Sequence, residues 1–140
     1  MKTQMFAVAV LCLALAGIAM AKNEPPAMPG VLANARFVYV TSYDGDQYNR
    51  NILPEDREAI GRVQDELQKW GKLTLVYRAE DADIIMAVQA RGSEDVLAVY
   101  DAHSTSDTYL WRVMGRGGLQ KGETPLLTQF QKAFEKIAKK

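Results

Sequence analysis

Three carboxylates in one short segment have the spacing of a calcium-binding loop. Asp44, Asp46 and Glu55 occupy its positions 1, 3 and 12, and hard cations prefer carboxylate oxygens. The match is incomplete, because Tyr48 stands where an acid or amide belongs and Asn49 where glycine makes the sharp turn. An ordinary Asp-Gly turn explains the same residues. The motif therefore leaves calcium binding and a plain turn as alternatives.

A turn between two predicted strands contains the side-chain types of a hydrolase triad. These residues are Asp101, His103, Ser104, Ser106 and Asp107. A triad needs side chains that converge from separate elements, and neighbours in one loop seldom converge. The chain also has no Gly-x-Ser-x-Gly elbow. A hairpin turn is the simpler interpretation, and Asp101 and His103 stay candidates for contact with a ligand or partner.

Two further groups could bind something without doing chemistry. Arg116 and Lys121 lie in a glycine-rich segment before a predicted helix, where an anion can be held by the helix N-terminus. Gln120 stands where the phosphate-binding loop requires glycine, so a flexible connection is the alternative. Tyr109 and Trp111 lie in the last predicted strand, where they either pack in the core or form an exposed patch for a partner.

The N-terminal residues indicate export. Lys2 precedes an apolar run over 5–18, and Ala19-Met20-Ala21 has the small-x-small pattern of a signal peptidase site. We expect cleavage after Ala21, a periplasmic or secreted protein, and no stable membrane anchor afterwards. An uncleaved anchor is the alternative, although the run is short for a membrane span. Cleavage would also remove Cys12, the only cysteine, and with it any disulfide or thiolate site.

Composition limits the remaining chain to one domain. Removing the leader leaves roughly 120 residues, enough for a single core. Basic and acidic residues balance at 17 each, so nothing indicates a nucleic-acid partner. Three prolines and a glycine lie within 22–35, which we interpret as a flexible tether. The domain is then 36–140.

Hydrophobic periodicity predicts five strands and two helices. The strands cover 36–41, 72–77, 83–91, 96–101 and 108–114, and the helices 54–70 and 125–138. Gly61, inside the first helix, suggests close packing at that point. The predicted shared core is lined by Ile60, Val63, Leu67, Trp70, Leu127, Phe130 and Phe134.

The lengths of the connections predict the topology. The links after the second strand are too short for parallel crossovers, so strands two to five should form an antiparallel meander. The first helix makes strands one and two parallel. We expect an α+β fold: one mostly antiparallel five-stranded sheet with both amphipathic helices on one face. The acidic loops around Asp44, Asp46, Asp101 and His103 would then share one end of the sheet.

Several successive segments resemble a known domain. These are Arg36-Phe-Val-Tyr-Val, Leu67 to Val76, Ala82-Asp-Ile-Ile-Met-Ala-Val, Leu97-Ala-Val-Tyr-Asp-Ala and Tyr109-Leu-Trp-Arg-Val. The chain resembles small exported bacterial proteins of unknown function, the α/β domain of curli-secretion-type assembly lipoproteins, and the N-terminal domain of the Tol-system propeller protein. The segment before Ala82 is shorter than in the larger relatives, where a helix can restore parallel direction. If this chain followed them, the acidic loops would not share an end.

The resemblance implies an envelope module that binds or scaffolds, and it supplies no catalytic residues. We therefore expect an exported binding or scaffolding module without catalytic activity or cofactor, whose partner is an envelope protein or a small ligand. The alternative is a hydrolase or cation-dependent enzyme, with calcium as the cation, that uses Asp44, Asp46, Asp101 and His103. This alternative requires the four side chains to come close together.

Overall fold

The computed structural model describes residues 25–119 and 124–138, so the predicted signal peptide over 1–21 lies outside the described residues. Its elements are β1 (Phe37–Ser42), α1 (Pro54–Trp70), β2 (Thr74–Val76), β3 (Ile84–Gln89), β4 (Asp95–Asp101), β5 (Trp111–Gly115) and α2 (Pro125–Ala138). Short 3-10 turns cover Gly30–Asn34 and Ala79–Asp81. Within the described part of the chain, no helix combines the length and apolarity needed to cross a bilayer.

The first helix has the predicted bounds because its ends contain clear start and stop residues. Pro54 begins α1, and the acidic Glu55 and Asp56 lie beside the positive end of its dipole. Gly71 ends it in a left-handed conformation, with φ at 75°, and donates its N–H to the Leu67 carbonyl. The suspected close packing at Gly61 is wrong, since a Cβ there would meet no atom within 4 Å.

The sheet has the order β2-β1-β3-β4-β5. β1 is parallel to β2, as predicted, and is also parallel to β3. The pairs β3–β4 and β4–β5 are antiparallel. The α+β class and the five strands are confirmed, but the predicted meander is wrong at its first step, because β2 and β3 lie on opposite sides of β1.

The shortness of β2 explains why a brief link can join two strands of the same direction. Val76, the last residue of β2, is level with Tyr39, and Ile84, the first of β3, is level with Val38. Between the end of β2 and the start of β3, the chain therefore crosses β1 and moves back along the strand direction by only one residue, about 3 Å. The rule that a crossover needs a dozen residues applies to strands of ordinary length.

One side of the sheet carries the core. Val38, Val40, Met86, Val99 and Trp111 point to this side and are buried together with residues of both helices. The predicted core residues Ile60, Val63, Leu67, Leu127, Phe130 and Phe134 are all buried there. The predicted Trp70 is only half-buried; it packs edge-on against Phe130 and Phe134 and donates its indole N–H to Glu135.

The segment predicted as a tether is part of this core over its described residues. Met28 and Leu32 are buried in the main cluster, and the Pro26 carbonyl accepts the Trp111 indole N–H at 2.9 Å. The prediction of a flexible tether over 22–35 is therefore wrong for 26–32. Prolines prevent helix and ladder pairing, but they do not prevent apolar neighbours from packing.

Candidate binding surface

The predicted acidic rim does not form. Asp44 and Asp46 follow Ser42, the end of β1, whereas Asp101 ends β4 and is level with Ile84 and Val38 at the start of the parallel strands. Four residues of β1 separate these levels, which is roughly 13 Å. Asp44 and Asp46 thus lie at one end of the sheet, and Asp101 and His103 at the other. The prediction that these loops share one end of the sheet was wrong because the predicted direction of β3 was wrong. The four residues therefore do not form one site.

The calcium-like loop uses its carboxylates for local contacts. Asp46 accepts the Tyr39 hydroxyl through Oδ2 at 2.9 Å and the Tyr48 N–H through Oδ1 at 3.0 Å. Asp44 lies 3.7 Å from an Arg91 nitrogen, and Glu55 is exposed at the start of α1. In the part of the chain that the structure describes, no group of three or more potential ligands is placed to hold a metal. The loop therefore has the contacts of a turn.

Asp101 and His103 lie beside a small cavity of about 210 Å³ at the opposite end. His103 Nε2 is 3.2 Å from Asp83 Oδ1, and Asp101 accepts the His103 N–H. The N–H of Arg36 and then the imidazole of His103 lower the pKa of Asp83. Its other oxygen accepts the N–H groups of Arg36 and Phe37, so this carboxylate fixes the start of β1.

The remaining predicted site residues differ in their exposure. Trp111 is buried in the core, so its predicted role in an exposed patch is wrong; its place in the alternation of β5 turns it towards the helices. Tyr109 is exposed, as the patch required. Arg116 is exposed beyond β5, and Lys121 lies outside the described residues. The predicted anion site at Arg116 and Lys121 stays a prediction.

The side of the sheet opposite the helices is the largest feature without a structural explanation. We call it the open face. By strand register its residues are Phe37, Tyr39, Thr41, Thr74, Val76, Ile85, Ala87, Gln89, Val96, Ala98, Tyr100, Arg112 and Met114. Both described helices pack on the other side, so neither covers it. Ala87 and Ala98 are nevertheless only 4% and 0% exposed. The centre of this face is therefore shielded from solvent.

Tyrosines lie on and beside this face. Tyr43 follows β1, and burial and then its interaction with Tyr100 raise its pKa to about 12. Burial and then the hydrogen bond to Asp46 raise the pKa of Tyr39 to about 12 as well. Both phenols therefore stay protonated at any physiological pH. They present ring surface with a hydroxyl donor, the side-chain type that is enriched at protein interfaces.

Arg112 lies beside these rings. It was not predicted from the sequence as a site residue. Its guanidinium carbon is 5.6 Å from the centre of the Tyr109 ring, within the range of a cation–π contact. Its Nε is sealed from solvent without a hydrogen-bond partner. The alternation of Trp111 and Val113 with Arg112 was the available signal, because it places the arginine on the face away from the core.

We call Tyr43, Tyr100, Tyr109 and Arg112 the tyrosine–arginine cluster. No protein-family model matches the chain, and neither the curated proteins nor the solved structures give a significant match. The resemblance to envelope assembly domains thus stays a prediction.

Proposed function

We propose that this protein is an exported binding or scaffolding module of the cell envelope, and that it contacts a protein partner through the open face. The observation that carries the proposal is the side of the sheet that neither described helix covers, with its tyrosine–arginine cluster. The predicted signal peptide supports the location in the envelope.

The physical case rests on the composition and rigidity of this surface. Phe37 and Met114, at its margins, are 40% and 50% exposed, so the face offers apolar area beside its phenols. Tyrosine and arginine are the residues that most often dominate binding energy at interfaces. Tyr100 and Arg112 are held in place by β4 and β5, which lowers the entropy lost on binding. These properties favour recognition of a protein surface.

Position-specific crosslinking tests the proposal. A photoreactive amino acid replaces Phe37 or Met114 in cells that express the chain, and the same substitution at Asp65 or Lys69, exposed on α1, provides the matched control. We expect both open-face positions to give an adduct with the same protein and the helix positions to give none. Absence of adducts at the open face, or equal adducts at the helix, would refute the proposal.

Export is tested separately. We expect the N-terminus of the protein recovered from the envelope or the medium to be Lys22, which follows the predicted cleavage after Ala21. An N-terminus at Met1, with the protein in the membrane fraction, would indicate the retained anchor instead. Recovery of the whole chain from the cytoplasm would refute the proposed location in the envelope.

A further inference from the structure

Arg112 carries a positive charge that the described residues leave without a counter-ion. It forms no ion pair with a carboxylate of these residues and no hydrogen bond, and its Nε is buried. An unsatisfied buried donor is unfavourable for folding, and most such groups in proteins are paired. The contacts of the described residues therefore do not explain why this unfavourable buried donor is present.

The surroundings of Arg112 hold its guanidinium in a binding orientation. The Tyr109 ring contacts it on one side and Nε is sealed by the packing, whereas Nη1 and Nη2 reach solvent. The two terminal nitrogens make no hydrogen bond to the described residues, and their planar fork is suited to a bidentate contact with two oxygens. Because packing already restricts the side chain, less entropy is lost when a ligand binds.

We infer that Arg112 recognises a carboxylate of the protein partner, such as an aspartate or glutamate side chain, with the rings of Tyr43, Tyr100 and Tyr109 contacting the adjacent apolar atoms. This inference rests on the proposed function. A carboxylate fits better than a phosphate, because Arg112 is the only basic residue at the described strand positions of the open face. A phosphate dianion usually requires several donors or cations.

A titration with small probes tests the site without the partner. The probe is 3-phenylpropanoate, which joins a carboxylate to an aromatic ring, and the matched control is its neutral amide, 3-phenylpropanamide. Chemical shifts of the backbone and of the arginine Nε–H group report binding to the full-length mature chain. We expect saturable shifts at the cluster, a Kd on the order of millimolar, and at least tenfold weaker binding of the amide.

Variants assign the effect to Arg112. We expect R112Q to weaken binding of the carboxylate at least tenfold and R112K to bind less well than wild type, since lysine lacks the planar fork. K69Q, which removes an exposed cation from α1 on the other side of the sheet, should bind within twofold of wild type. An unchanged spectrum away from the cluster shows that each variant is folded. Binding of carboxylate and amide within twofold of each other, or tighter binding of inorganic phosphate, would overturn the inference.

The crosslinking experiment separates this inference from the proposed function. If R112Q forms the open-face adduct as efficiently as wild type, the face binds a partner but Arg112 does not recognise its carboxylate. If no open-face position forms an adduct, the proposed function fails, and the probe titration still decides whether Arg112 binds a carboxylate. We expect R112Q to lower the yield of the adduct at least tenfold.

Discussion

The buried carboxylate of Asp56 makes a sharp test of how the fold is held together. Asp56 is 1% exposed in the first turn of α1. Its Oδ1 accepts the Ala90 N–H at 2.9 Å and Arg91 Nη1 at 2.8 Å. These contacts join the start of the helix to the turn after β3. Replacement by alanine would leave the Ala90 N–H without its acceptor and remove the buried carboxylate that pairs with Arg91, whose Nη1 would still donate to the Ala90 carbonyl.

The expected loss follows from those two contacts. A hydrogen bond to a charged group contributes about 1.5 to 3 kcal/mol, so two contacts would amount to about 3 to 6 kcal/mol. Asp56 Oδ2 is buried without a hydrogen-bond partner, so the carboxylate also destabilises the native state. The net loss of stability on its removal should therefore lie near the lower end of this range. We expect Asp56→Ala to lower the free energy of unfolding by about 3 kcal/mol. Asp56→Asn keeps an acceptor for Ala90 and should lose about half as much.

Urea unfolding followed by tryptophan fluorescence measures the loss. With an m-value of about 1 to 1.5 kcal/mol/M, the midpoint of Asp56→Ala should fall by about 2 to 3 M. The control is Asp65→Ala, which removes an exposed carboxylate from the same helix and should change stability by less than about 0.5 kcal/mol. An Asp56→Ala midpoint within the range of the control would refute the reasoning.

Four further predictions concern backbone geometry and ionisation. Gly61→Ala should raise the free energy of unfolding by about 0.5 to 1 kcal/mol, because the added Cβ meets no atom within 4 Å. Gly71→Ala should lower the free energy of unfolding by about 1 kcal/mol, because φ at this position is 75°. A lower urea midpoint for Gly61→Ala, or a higher one for Gly71→Ala, would contradict the respective prediction. Absorbance at 295 nm should show Tyr39 and Tyr43 ionising near pH 12, with stability unaffected below pH 10 and falling as pH rises through 12; ionisation of every tyrosine near pH 10 would exclude this. Asp83→Asn should destabilise the protein at pH 7, and the difference should shrink as pH falls below the ordinary carboxyl pKa of 3.8, since the folded state lowers that pKa; a difference independent of pH would speak against it.

The local elements could be predicted because each depends on nearby residues. The bounds of α1 follow from Pro54 and Gly71, and those of α2 from Pro125 and the apolar stripe through Phe130 and Phe134. The core face of the helices followed from the same spacing. The parallel pairing of β1 and β2 followed from the intervening helix.

The direction of β3 could not be predicted, because it depends on how few residues of β2 join the sheet. The pattern over 72–77 predicts a strand, but only Thr74–Val76 pair with β1. That difference lets a short link restore the parallel direction and places Asp101 and His103 far from Asp46. The burial of Met28 and Leu32 was missed for a related reason, since a proline-rich segment gives no periodic signal.

The open face was only partly visible in the sequence. Alternation in the last strand separated Arg112 from Trp111, but it assigned Tyr109 to the side of Trp111. The structure instead places Tyr109 outside the regular strand and against Arg112. Tyr43 was not considered, because it belongs to the loop after β1 and contacts Tyr100 only through the tertiary fold.

The position of Phe130 between the two tryptophans has a consequence for when the chain can fold. Its ring centre is 6.1 Å from that of Trp70 and 5.8 Å from that of Trp111, and it comes from α2, the last element described. Until those residues leave the ribosome, the apolar side of β4 and β5 lacks the helix that packs on it, so the core is incomplete. Delayed folding of this kind would suit the proposed export, because the chain would still be unfolded when it reaches the membrane.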